Sequence, residues 1–115
     1  MNEPILATFA HPWIGQLNLV LSTYQLEVGA ERRRIPYLWV GREDGETIAT
    51  LTVILKEVKP YAALPPNHTW VVLRPALTGL RDLLLDTGVV RDTGVIYGPH
   101  HPPAELWEYQ LPPPS

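Results

Sequence analysis

A turn signal that runs straight into a β-branched run constrains this chain more than any other feature. Asp44-Gly45 readily supplies the positive φ angles of a tight hairpin turn, and Thr47-Ile48-Ala49-Thr50-Leu51-Thr52-Val53-Ile54-Leu55 follows it, aliphatic or β-branched throughout. This run is expected to be a central strand. Side chains alternate along a strand, so Thr47, Ala49, Leu51 and Val53 share one face and Ile48, Thr50, Thr52 and Ile54 the other, with the threonine face nearer solvent. Ile35 to Val40 reads as the first arm of the hairpin, and Gly41 to Glu46 as its connection.

The remaining elements follow from periodicity and breakers. Ile5 to Ala10 is a short apolar run stopped by His11-Pro12, which suits an edge strand because proline has no N–H for a central ladder. Gln16 to Ser22 alternates at Leu17, Leu19 and Leu21, the period of a half-buried strand, with an extension toward Tyr24 and Leu26. Val28-Gly29-Ala30 and Arg32-Arg33-Arg34 read as a loop. Lys56 to Pro66 carries Pro60, Pro65 and Pro66 and is expected to be a connecting excursion, after which Thr69 to Leu73 resumes β character. Pro75 can open a helix, Leu77, Leu80 and Leu84 continue it, and Gly88 can cap it in a left-handed conformation. Val89 to Tyr97 reads as turn-rich, Gly98 to Pro103 as a rigid loop, and Ala104 to Leu111 as a closing strand with Trp107, Tyr109 and Leu111 on one side.

A chain of 115 residues is one domain with enough apolar content to bury a core. The expected class is α+β: a single small domain over 1–111 and a Pro-rich tail at 112–115, with a mainly antiparallel sheet of about 5–6 strands. One helix, about 75–87, is expected to pack on one face of that sheet.

The net charge of −3 gives no overall attraction for nucleic acid, so no direct nucleic-acid binding is expected. Arg32-Arg33-Arg34 is the one dissenting cluster, readable as a solvated loop or as a contact for phosphate or an acidic partner. From Asp82 onward the balance is acidic: Asp82, Asp86, Asp92, Glu105 and Glu108 stand against Arg91. That suits either docking on a basic surface or plain solubility. No apolar run approaches the ~20 residues of a membrane helix, and Met1-Asn2-Glu3-Pro4 lacks the basic segment of a secretory signal. A cytoplasmic protein of a bacterial host cell, with no membrane partner, is expected. One methionine and 13 prolines fit a thermophilic source, although GC-rich codon usage leaves part of the same mark.

Cysteine is absent, which excludes disulfides, thiol nucleophiles and Cys-ligated zinc together. Serine occurs only at Ser22 and Ser115, and no phosphate-binding glycine loop or nucleophile elbow is present. Asp86-Thr87-Gly88 and Asp92-Thr93-Gly94 each match the aspartic-protease triplet, whose chemistry needs two carboxylates sharing a proton. The first falls at the end of the expected helix, where glycine caps and Asp-Thr turns. His100-His101, with Asp92 or Glu105, offers imagined metal ligands, but neither a spaced helical His pair nor a His-x-His strand pair occurs. No catalytic residue, metal or cofactor is expected. Trp13 and Tyr61 lie on expected loops and are the candidate interface anchors, alongside Asp82, Asp86, Asp92, Glu105 and Glu108.

From Asp44 onward, Asp-Gly-x-x-x-Ala-Thr-Leu-Thr-Val is followed by Leu64-Pro65-Pro66-Asn67-His68, a leucine-rich helix, Thr93-Gly94 and a closing aromatic strand. This pattern resembles a small family of uncharacterised proteins from bacteriophages and other mobile elements. A short Pro-Asp turn after the strand in that family is replaced here by Lys56-Glu57-Val58-Lys59-Pro60. The resemblance implies a non-enzymatic binding protein that blocks a host protein or nucleoprotein complex, an anti-CRISPR or other anti-defence inhibitor among them. The alternatives are a small metal-dependent enzyme using His100 and His101, and a structural phage protein that oligomerises through sheet edges and Trp13.

Overall fold

The computed structural model describes residues 4–28, 30–52, 64–72, 78–98 and 103–111. Among them are seven strands and one helix. In chain order these are β1 (Ile5–His11), β2 (Gly15–Val28), β3 (Glu31–Arg42), β4 (Thr47–Thr50), β5 (His68–Val71), α1 (Thr78–Asp86), β6 (Val90–Tyr97) and β7 (Ala104–Tyr109). The class is α+β, mostly antiparallel sheet, as the sequence suggests. The strands form two sheets rather than one, ordered β1-β2-β3-β4 and β5-β7-β6. No described helix is long and apolar enough to cross a membrane.

The long β2–β3 hairpin is the scaffold. Its register runs unbroken from Leu17↔Arg42 to Val28↔Glu31. The alternation at Leu17, Leu19 and Leu21 buries all three, and Leu38 and Val40 of β3 join them. Each such leucine, fully withdrawn from water, contributes roughly 1.5–3 kcal/mol before entropy is counted. The Arg32-Arg33-Arg34 loop expected from sequence is instead the beginning of β3. Three consecutive arginines tolerate a strand here because its first residues lie beyond the main core, with Arg32 and Arg34 exposed.

The Asp-Gly turn forms as expected. Gly45 takes φ +91, its N–H donates to the Arg42 carbonyl at 2.9 Å, and the Asp44 carboxylate accepts from the Glu46 N–H at 2.9 Å. The strand it launches is not central: β4 ends its sheet, and β2 and β3 hold the middle. The threonine face is corrected at Thr52, which is buried while Thr50 is exposed; on the opposite face Ala49 and Leu51 are buried, and Thr47, expected beside them, is exposed. Val53 to Leu55 lie outside the described residues.

Thr52 is buried because it joins the two sheets. It bridges to Val71 of β5, and the Val72 N–H donates to the Leu51 carbonyl at 2.9 Å. A relay of hydroxyls fills the seam. The Leu38 N–H donates to Thr52 Oγ1 at 2.9 Å, and Thr69 Oγ1 lies 3.2 Å from Thr52 Oγ1 and donates to the Pro36 carbonyl at 2.7 Å. Since the Thr69 proton is spent on Pro36, Thr52 is the donor between the two hydroxyls. Pro36 suits this place in β3, because a residue with an N–H would bring a further donor into a crowded seam.

One core spans both sheets. Leu6, the β2 and β3 residues, Leu51, Val71, Leu80, Leu84, Val90, Trp107 and Tyr109 form it, and α1 packs against β1 and β6, the outer strands of the two sheets. A second cluster on the reverse face gathers Ile35, Trp70, Ala104 and Leu106. Consequently β7, between β5 and β6, is buried on both faces. Leu111, expected beside Trp107 and Tyr109, is exposed beyond the strand end. The helix ends as expected, with Gly88 at φ +77 and Thr87 Oγ1 donating to the Leu84 carbonyl at 2.6 Å. Val89 to Tyr97, expected to be turns, is mainly β6, whose register slips between Asp92 and Ile96 around Gly94 at φ +84.

Replacing Thr69 by Val strips the part-buried Pro36 carbonyl of its donor and is expected to cost about 1–2 kcal/mol in urea unfolding. Thr52→Val orphans the Leu38 N–H at similar cost, and the double variant is expected to cost less than the sum, because both act on one relay.

Candidate functional site

The turn between β1 and β2 carries the most exposed large hydrophobic side chain among the described residues. His11 pairs with Gly15 across a three-residue loop of Pro12, Trp13 and Ile14, and Gly15 takes φ +96, which a side chain would resist. Ile14 packs against the main core, so the loop is anchored from below. From above, the Trp13 and Ile14 N–H groups both donate to His11 Nδ1, at 3.1 and 3.3 Å, which requires that nitrogen to be unprotonated. The two rings meet edge to face with centroids 6.0 Å apart. The result is an indole 93% exposed on a braced loop.

The carboxylates singled out from sequence divide into two kinds. Arg81 of α1 reaches Asp92 of β6 at 2.5 Å and Glu105 of β7 at 2.9 Å, and Glu105 also accepts from the Trp107 indole N–H at 3.3 Å. The hydrogen bond that Arg81 donates to Glu105 holds its guanidinium above the ordinary pKa, opposed by burial and aided by the charges of Glu105, Asp92 and Asp82. Glu108 pairs with Arg91 at 3.2 Å and lies 3.8 Å from His68. Three of the five acids therefore face cations of the same fold. Asp82 and Asp86 remain on the exposed side of α1.

The two Asp-Thr-Gly triplets adopt different structures. Asp86-Thr87-Gly88 is the helix end described above, whereas Asp92-Thr93-Gly94 is the irregularity in β6. There the Asp92 carboxylate accepts from the Gly94 N–H at 2.9 Å, and Thr93 Oγ1 donates to the Leu106 carbonyl at 2.8 Å. Among the described residues no three His, Asp or Glu side chains cluster as metal ligands. Tyr61, His100 and His101 lie outside the described residues.

One feature escaped the sequence. A cleft of about 310 Å³ opens between Arg33 to Pro36 of β3 and the segment Leu64 to His68, with Tyr109 at its base. Asn67 takes φ +61 there, and its carbonyl accepts from the Tyr109 N–H at 2.9 Å. Burial pushes the Tyr109 phenol above its ordinary pKa. The two walls lie some thirty residues apart in sequence, which is why no local motif signals the cleft. Arg33-Arg34 and Leu64-Pro65-Pro66-Asn67-His68 stand out separately in the sequence, but nothing local joins them.

Comparison with protein-family models, with curated proteins and with solved structures finds no match.

Arg81→Met is expected to destabilise the fold by about 1–2 kcal/mol, read from the urea midpoint, since the three partners are only partly shielded from water. The pH dependence has a definite sign at the alkaline end. A phenol whose folded pKa lies above the unfolded value of about 10 holds a proton that the unfolded chain has released, so stability falls as pH rises past 10. Tyr109→Phe is expected to flatten that fall in unfolding curves measured between about pH 9 and 11.

Proposed function

We propose that this chain is a non-enzymatic binding protein that docks on a larger partner through the β1–β2 turn, with Trp13 as the anchor. The observation that carries this reading is the indole, almost fully exposed on a loop held by His11 and Ile14. Leaving so large an apolar ring in water is unfavourable, and a braced loop loses little conformational freedom when the ring enters a pocket. Tryptophan is also the residue most enriched among interface hot spots.

The partner class rests on the resemblance to mobile-element proteins and on the net charge of −3. It is a basic host protein or nucleoprotein complex in a bacterial cytoplasm, with inhibition of a defence machine such as a CRISPR effector as the specific role. Asp82 and Asp86 are the exposed acids available to steer such an encounter. Asp92, Glu105 and Glu108 are engaged within the fold and contribute less. A second reading, self-assembly, draws on exposed Ile5 of β1 and Val95 and Ile96 of β6, the outer strands of their sheets.

The test is affinity purification of tagged wild-type and Trp13→Ala chains from bacterial lysate, with sizing of what co-elutes. A stoichiometric partner that Trp13→Ala binds about 30-fold or more weakly, a hot-spot loss of about 2 kcal/mol, is the expected outcome. Capture that ignores the substitution, or no partner at all, overturns the Trp13 reading. A scattering mass twice that of the chain moves the assignment to self-assembly.

A further inference from the structure

One wall of the cleft beside β3 is a strand edge that no described strand pairs. Leu38 turns both its N–H and its carbonyl away from β2, toward Thr52 and Leu51. In an antiparallel strand every second residue repeats that orientation, so Pro36 and Arg34 also turn their backbone groups outward. Pro36 confirms the parity, since its carbonyl meets Thr69. The described part of β4 pairs only with Trp39 to Gly41, which leaves the Arg34 N–H and carbonyl facing the cleft with no partner among the described residues.

The side chains around this edge are cationic and polar. Arg32 is paired with Glu27 at 3.7 Å, whereas exposed Arg34 has no ion-pair partner among the described residues. Pro65, Pro66 and Asn67 form the opposite wall. The His68 ring is fixed by the Pro66 carbonyl at 2.8 Å, and Tyr109 completes the lining. Glu108, the acid nearest His68, is held by Arg91. Nothing described in the cleft carries an unmatched negative charge.

We propose that this cleft is a second binding site, which takes a short extended acidic peptide as an added strand on β3. The peptide backbone pairs with the Arg34 N–H and carbonyl, one carboxylate meets the Arg34 guanidinium, and the proline wall excludes water from the other side. A volume of about 310 Å³ suits two or three peptide residues rather than a long strand. The site is independent of Trp13. The β1–β2 turn lies at the opposite end of β2, roughly 30 Å away at a strand rise of about 3.3 Å per residue.

The experiment is an amide chemical-shift titration of the full chain with an acetylated, amidated hexapeptide of alternating Glu and Val. Three control probes accompany it: the Lys-for-Glu peptide, the same Glu peptide N-methylated on its backbone, and sodium acetate. Saturable shifts at Arg34, Asn67, His68 and Tyr109 are expected for the Glu peptide alone. Arg34→Glu is expected to weaken binding at least tenfold while leaving the remaining spectrum in place, because the side chain is exposed. Shifts produced equally by acetate or by the N-methylated peptide would make the cleft a simple anion site and overturn strand addition. Equal shifts from the Lys peptide, undiminished binding to Arg34→Glu, or no shifts at these amides would overturn the proposal outright. Trp13→Ala is expected to leave every one of these shifts unchanged, so failure here and failure of the Trp13 reading are told apart.

Discussion

Two threonine hydroxyls hold a position on which both sheets depend. Thr52 and Thr69 carry a single direction of hydrogen bonding from the Leu38 N–H to the Pro36 carbonyl, so β3 is contacted twice by a relay that passes through the beginning of the second sheet. Apolar packing alone would let one sheet slide on the other, because the hydrophobic effect has no direction. The relay has direction. Only one placement of β5 along β3 satisfies both backbone groups, and that placement fixes where β7 and β6 follow. The net worth of such bonds is modest, yet the cost of leaving any of their buried atoms unpaired is several times larger. Their role is therefore to select one arrangement more than to supply stability.

What could be read from the sequence was local. Leu17, Leu19 and Leu21 announce β2 and its buried face through their spacing alone, Asp44-Gly45 announces its turn, and Gly88 announces the helix end, because in each case the physical cause lies within a few residues. The misreadings share one feature, a cause located elsewhere in the chain. Arg32 to Arg34 looked like a solvated loop because strand membership there is imposed by β2 across the hairpin. Gly94 looked like a turn, but pairing with β7 makes it an irregularity within β6. Thr52 looked solvent-facing because its alternation says so, and its burial is made tolerable by the Leu38 N–H and by the hydroxyl of Thr69, 14 residues back and 17 residues on.

The same distinction governs the surfaces. Trp13 was legible because its loop is defined by Pro12 and Gly15, immediate neighbours that also set its exposure. The acidic character of the last third was legible as a count and misleading as a surface. Arg81 and Arg91 take up Asp92, Glu105 and Glu108, so charge that a linear reading assigns to a partner ties α1 and β6 to β7. Composition registers the sign of charges and not their pairing. The cleft beside β3 lay beyond any such reading, since its walls come from segments some thirty residues apart that only the tertiary fold brings together.

The helix contact with both outer strands sets an order in time. On a chain emerging from the ribosome, β1, β2 and β3 follow one another closely and pair as hairpins at once. Their inner face, with Leu17, Leu19, Leu38 and Val40, has no cover until α1 and the last two strands are synthesised. A sheet of β1, β2 and β3 alone would leave those apolar side chains open to association with neighbours on the same polysome. Arrival of α1 seats Leu80 and Leu84 against that face, and Val90, Trp107 and Tyr109 complete the cover, so the exposure ends only when the last strand has been made.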